Sequence, residues 1–199
     1  MALTFNNVLE ITERKEFRKW LMDNHLREKE CWVEVRRTKQ PPANCLWYLD
    51  TVEEALCFGW IDSTTKKVDG RQMQRFSPRR KGGMWSELNK ERCRRLEALG
   101  LMTEAGRREL PDMSDKGFLI DPYILERFRR HRKAWSNFKK MPILYQRVRI
   151  DTIQRDKTDM AIFDKRLDKL ISMSAANKMF GDWNDYGRLL DYKESKGNF

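Results

Sequence analysis

The sequence predicts an α+β fold: a small, mainly antiparallel sheet with a β-hairpin, packed by helices, and a helical C-terminal part. Three observations predict it. Asp69-Gly70 is a strong type I′ turn signal between two strand-like runs. Val33 and Val35 alternate with Glu34 and Arg36, the period of a half-buried strand. After Ser86 every apolar pattern has helical spacing.

In chain order, residues 12–22 read as a helix capped by Thr12, with Phe17, Trp20 and Leu21 on one face. His25 is expected to end it. Residues 31–38 form a strand, and Pro41-Pro42 makes the following loop. Asp50 and Glu53 have capping-box spacing for a short helix that runs to Phe58 and stops at Gly59. The hairpin joins Ile61–Val68 to Arg71–Phe76, and Ser77-Pro78 ends it. Ser86 caps a helix carrying Leu88, Cys93, Leu96 and Leu99, terminated by Gly100. A short helix over Thr103–Leu110 stops at Pro111. Asp121-Pro122 opens another, which runs to Lys139 with Ile124, Phe128, His131, Trp135 and Phe138 on one face. Pro142 opens a helical stretch, and a last helix spans 158–173 with Met160, Phe163, Leu167, Leu170 and Ile171 inward. The domain reading is an α+β core over 1–112, a helical subdomain over 113–180 and a loosely ordered tail over 181–199.

The chain has 199 residues and a formal net charge of +11. Residues 61–149 hold 23 basic against 11 acidic residues, and the two flanks are nearly balanced. Arginines dominate two clusters, one within 71–95 and one over 127–133. A guanidinium fork suits phosphate and carboxylate. The charge therefore points to an anionic partner: a small anion first, nucleic acid second. The nucleic-acid reading would use Arg79, Arg80, Lys81, Arg127 and Arg130.

No apolar run approaches the ~18 residues of a membrane span. Cys31, Cys45, Cys57 and Cys93 form no C-x-x-C pair and read as buried free thiols, which suits a cytoplasmic protein. His131 reads as a hydrogen-bonded core residue. With two histidines and no such cysteine pair, no metal site is expected. Phosphate-binding glycine motifs, zinc-protease spacing and the nucleophile elbow are missing. No cofactor and no catalytic residue is expected, and the oligomeric state is left open. An enzyme using Asp62 ranks third.

The informative stretch is 55–102. The hairpin folds residues 60–64 back towards 74–78, so Trp60, Asp62, Arg75, Arg79 and Trp85 are expected to converge. Aromatic walls with a few placed charges are what small-ligand pockets use. Ser86 begins the next helix, whose free N–H groups would add to an anion site.

The same stretch resembles the bacteriocin-protection, YdeI/OmpD-associated family. The similar elements are Ala55-Leu56-Cys57-Phe58-Gly59-Trp60-Ile61-Asp62-Ser63, then Gln74 to Arg80, Trp85-Ser86 with Asn89-Lys90, and Leu96, Gly100 and Met102. Phe17 to Leu21 and Trp32 to Val35 look like its opening helix and strand. The resemblance covers residues 10–110; the stretch Gln154 to Met160 departs from the family pattern. It implies a bacterial-type α+β protein associated with envelope stress or antimicrobial-peptide protection, with no established reaction. It also implies a shared site at Trp60, Asp62, Arg75, Pro78, Arg79, Trp85 and Asn89. The reading that follows is a non-enzymatic binder of a small anionic ligand.

Overall fold

Strand β2 (Cys31–Arg36) organises the sheet in the computed structural model, which describes residues 5–114, 118–190 and 192. It pairs antiparallel with β5 (Arg71–Pro78), which pairs antiparallel with β4 (Trp60–Val68). Two short strands, β1 (Val8–Leu9) and β3 (Leu46–Trp47), run parallel to β2. The hairpin turn is where Asp69-Gly70 predicts it, with φ of 48° and 79°. Both residues need the left-handed region there, which Gly and Asp tolerate. β5 extends through Pro78, two residues past the expected end, because Trp60 opens β4 opposite it.

The α+β class expected from the sequence is the observed one, with eight helices and five strands among the described residues. They divide into two compact units. The first comprises Met1–Met84 and Arg92–Pro111, and the second Trp85–Glu91 and Asp112–Phe199.

In the first unit, α1 (Arg14–Asn24) and α2 (Tyr48–Cys57) contribute Phe17, Leu21, Val52 and Leu56 to a core that includes Trp32, Val33 and Phe76 of the sheet. The Phe17 and Phe76 rings lie 5.3 Å apart. The N-cap of α1 is Glu13 rather than Thr12. The Glu16 carboxylate reaches back to the N–H groups of Thr12 and Glu13, both at 3.0 Å, and so fixes the start one residue later. α2 begins at Tyr48, straight out of β3, so Asp50 lies in its first turn and is not its cap. There Asp50 pairs with Arg14 at 2.8 Å. Glu53 and Glu54 are both buried, and Arg14 contacts each of them, at 3.0 and 2.5 Å. Arg95 of α3 (Glu87–Ala98) holds the other side of Glu53 at 2.8 Å, and Arg18 holds Glu54 at 2.7 Å. Helix α4 (Glu104–Arg108) sits hard against the end of α2. A Cβ on Gly106 would stand 2.3 Å from the Cys57 carbonyl oxygen, so no larger residue fits.

The second unit is built on α5 (Pro122–Arg130), α6 (Arg132–Phe138), α7 (Ile143–Gln154) and α8 (Met160–Ala175). Asp121 caps α5 with its side chain, as Asp121-Pro122 predicts. The single helix expected from 121 to 139 is two. The chain leaves helical geometry at His131 (φ −107°, ψ 74°). After the break Phe138 is buried, as expected, together with Ala134, and Trp135 is only partly buried. His131 itself is exposed rather than a core residue. Met160, expected inward, is 47% exposed at the first turn of α8. Residues 181–190, expected as a loose tail, are packed: Trp183 and Leu189 are buried in the core with Phe138, Tyr145 and Leu167. Tyr192 donates to the Glu91 carboxylate at 2.6 Å. The rest of the expected tail, 191 and 193–199, lies outside the described residues. Among the described residues no helix is long and apolar enough to cross a membrane.

Breaking a buried ion pair leaves a charge without its partner. Glu53→Ala strands Arg14 and Arg95 together and is expected to cost about 3 kcal/mol or more in chemical denaturation. Leu189→Ala is expected to cost about 2–5 kcal/mol, as for a core leucine. A change near zero would mean that 181–190 is not part of the fold.

Candidate functional site

Gly59 carries the chain from α2 into the hairpin with φ of +74°, and a Cβ there would lie 2.9 Å from the Glu109 side chain. The next residue, Trp60, is 1% exposed. Its indole donates to the His25 carbonyl at 3.2 Å and meets Trp20 edge-on at 5.7 Å. Trp60 is core and offers no open face as a pocket wall.

Arg75, expected to receive an anion, already has one. Its guanidinium pairs with Glu30 at 2.6 Å and donates to the Ser63 hydroxyl at 3.3 Å. Burial is the largest influence and would raise the Glu30 carboxyl, but the hydrogen bonds from Arg75 and Trp32 and the Arg75 charge together hold it below its ordinary value. Pro78 ends β5 with its side chain exposed. Arg79 is half-buried and donates to the Met84 carbonyl at 3.5 Å. Burial of this guanidinium weakens its hold on the proton, against the pull of Asp62 and Glu109.

Trp85, Ser86 and Asn89 belong to the second unit. The Ser86 hydroxyl accepts from the Asn89 N–H at 3.1 Å, and the Glu87 N–H donates to Asp151 at 3.2 Å. The Ser86 helix start therefore carries acceptors of its own, including a carboxylate. Two of the expected free N–H groups, those of Glu87 and Asn89, are already used.

Asp62 sits in a polar cluster of the first unit that the sequence does not announce. Its Oδ2 accepts from the Tyr48 hydroxyl at 2.6 Å. Burial first, then the Asp62 charge, pushes the Tyr48 phenol up to about 12, so it stays protonated near neutral pH. The Arg37 guanidinium lies 3.4 Å from the Tyr48 ring centroid. It donates to the side-chain carbonyl of Gln74 at 2.9 Å, and Thr65 donates to the same oxygen at 2.7 Å. Gln74 itself is fully buried and donates to the Thr64 and Arg75 carbonyls. The strand register shifts between Asp62 and Thr65, which turns both residues towards this cluster. Arg37 is exposed, and among the described residues no carboxylate pairs with it. Sequence reasoning missed Arg37, Tyr48 and Gln74. The only signal was an arginine just past a strand end, one of many in a basic chain.

Other chemistry is thin in this unit. Burial pushes the Cys57 and Cys93 thiols up to about 12 and raises Cys31 as well, which suits packing rather than nucleophilic attack. Cys45 is half-buried. Among the described residues no group of three His, Cys, Asp or Glu is placed to hold a metal ion.

No curated protein and no solved structure matches the chain. A family model does match over residues 9–109, the stretch that holds the sheet and the Arg37–Tyr48–Asp62 cluster: the chain belongs to the family called Domain of unknown function (DUF8412).

Proposed function

We propose that the 9–109 domain is a non-enzymatic binder of a small anion, with Arg37 as its anchor. The observation that carries this reading is the seating of Arg37. Its guanidinium lies over the Tyr48 ring and is bonded to the buried Gln74. A guanidinium has five N–H donors, and among the described residues this one uses a single donor. An arginine fixed in this way loses little rotamer freedom on binding, and its remaining donors match the two oxygens of a carboxylate or phosphate. Asp62 serves the site indirectly by holding the Tyr48 hydroxyl. A carboxylate with that task and a phenol kept protonated make a platform, not an acid–base pair. Lys67, two residues beyond Thr65, shares the Thr65 face of β4 and adds positive potential. The bacteriocin-protection and stress-response setting belongs to the same proposal and rests on the motif resemblance. A cytoplasmic location is proposed on the four free thiols.

A second reading, nucleic-acid binding, is favoured by one observation. Arg129, Arg132 and Lys133 are exposed on α5 and α6 with no partner among the described residues. Two residues expected to carry that reading are engaged instead. Arg127 pairs with Asp164 at 3.0 Å and with Asp168, and Arg130 pairs with Glu126. Arg80 and Lys81 are exposed in the first unit.

For the first reading, calorimetric titration with phosphate, sulfate and citrate should find an anion whose affinity falls about tenfold or more in Arg37→Ala. The circular dichroism of the variant should stay that of the parent chain. Unchanged affinity removes Arg37 as the anchor. For the second, oligonucleotide anisotropy should show binding that weakens steeply with salt. Each of Arg129→Ala and Arg132→Ala should reduce the salt slope by about one. Absence of binding at low salt rules that reading out.

A further inference from the structure

We propose that the helical unit carries a second ligand site, for a small phosphomonoester, in the cavity between α7, α8 and the turn at Phe180. The cavity measures about 270 Å³ and is lined by Arg149, Thr152, Ile153, Arg166, Lys169, Leu170 and Phe180. That is just under the ~300–1,000 Å³ of small-molecule pockets. At ~30 Å³ per water it holds roughly nine waters, which leaves room for an organic body beside a phosphate.

The charge is what distinguishes this cavity. Three cations meet at its wall. Arg149 is half-buried, and its Nε has no hydrogen-bond partner among the described residues. Its guanidinium lies 5.3 Å from the Phe180 ring centroid, and the Lys169 ammonium lies 4.8 Å from the same centroid. Arg166 donates to the Thr152 carbonyl at 3.2 Å and pairs with Asp156. Asp182 is the second carboxylate near the cavity, and its charge reaches Arg149. Burial, joined by repulsion from Arg166, weakens the hold of Arg149 on its proton against the pull of Tyr145 and Asp182. Gathering two cations on one ring and a third beside them is costly unless an anion joins them.

Arg149 is also held in place. Gly181 has φ of +74°, and a Cβ there would stand 2.6 Å from Arg149 Nη1. The backbone at 181 thus closes on the guanidinium as only glycine allows. A phosphomonoester brings three acceptor oxygens and a charge of about −1.5 to −2, which matches three cations opposed by two carboxylates better than a carboxylate does. Ile153, Leu170 and the edge of Phe180 supply apolar wall for the ester's body.

The test is calorimetric titration of the full chain with glucose 6-phosphate, inorganic phosphate and gluconate. Glucose 6-phosphate should bind, with inorganic phosphate weaker and gluconate weaker still. Lys169 is exposed, so Lys169→Ala should keep the fold and lose about tenfold or more in affinity. Gly181→Ala should lose affinity by displacing Arg149, and Arg37→Ala should bind as the parent does. No binding of either phosphate at about 10 mM overturns the proposal. So does parental affinity in Lys169→Ala. Gluconate binding as tightly as the ester overturns the phosphate class, and loss of phosphate binding in Arg37→Ala alone would assign it to the other site.

Discussion

Two adjacent buried carboxylates, Glu53 and Glu54, set the geometry of the first unit. Side by side on α2 and almost without solvent, they would be prohibitive if left uncompensated. Arg14 answers both of them and Asp50, which ties α1 to α2 along one edge. Arg18 answers Glu54 again and donates to the Leu101 carbonyl, so the chain beyond α3 is tied to α1 as well. Burial alone would lower the pKa of Arg14; the charges of Glu54 and Glu53 raise it above the ordinary arginine value. α2 thereby becomes a fixed post. Tyr48 at its first turn is positioned by the same network that stabilises the core, and the floor of the Arg37 site is as rigid as the fold.

What the sequence made legible follows from how local each cause is. Asp69-Gly70, Ser86 and Asp121-Pro122 act within a few residues, and each appears where expected. β1 and β3 have two residues each, too short for any period to register, and their partner β2 is distant or separated by a proline loop. The break at His131 is hidden for a related reason. Trp135 and Phe138 continue the phase of Phe128 on paper, and only packing within the helical unit buries Ala134 beside Phe138 and leaves Trp135 partly buried. Trp183 and Leu189 lie among glycines and charges that read as a tail, yet their burial decides otherwise.

The site was less legible than the fold, because a count of arginines does not say which are already engaged. Arg75, Arg127 and Arg130 stand in the clusters that drew attention, and each has a carboxylate partner. Such partners come from distant stretches: Glu30 lies 45 residues from Arg75. Charge density along the chain is therefore a poor guide to a site. Trp60 illustrates the same limit for aromatics, since its neighbours in sequence suggest a wall and its neighbours in space make it core.

Arg37 and Arg149 differ from Arg75, Arg127 and Arg130 in that, among the described residues, no carboxylate pairs with either. Each is seated on an aromatic ring, Tyr48 in one unit and Phe180 in the other. An aromatic face attracts a guanidinium without neutralising it, so the cation is oriented and its charge stays available. A carboxylate partner orients an arginine too, but consumes the charge in doing so. On this argument the ring beneath each arginine matters as much as the arginine. The matched family region contains one of these seats, and the other lies wholly beyond residue 109. If both proposed sites hold, the helical unit adds a recognition element that the 9–109 domain does not itself contain, and the two can vary independently because no side chain serves both.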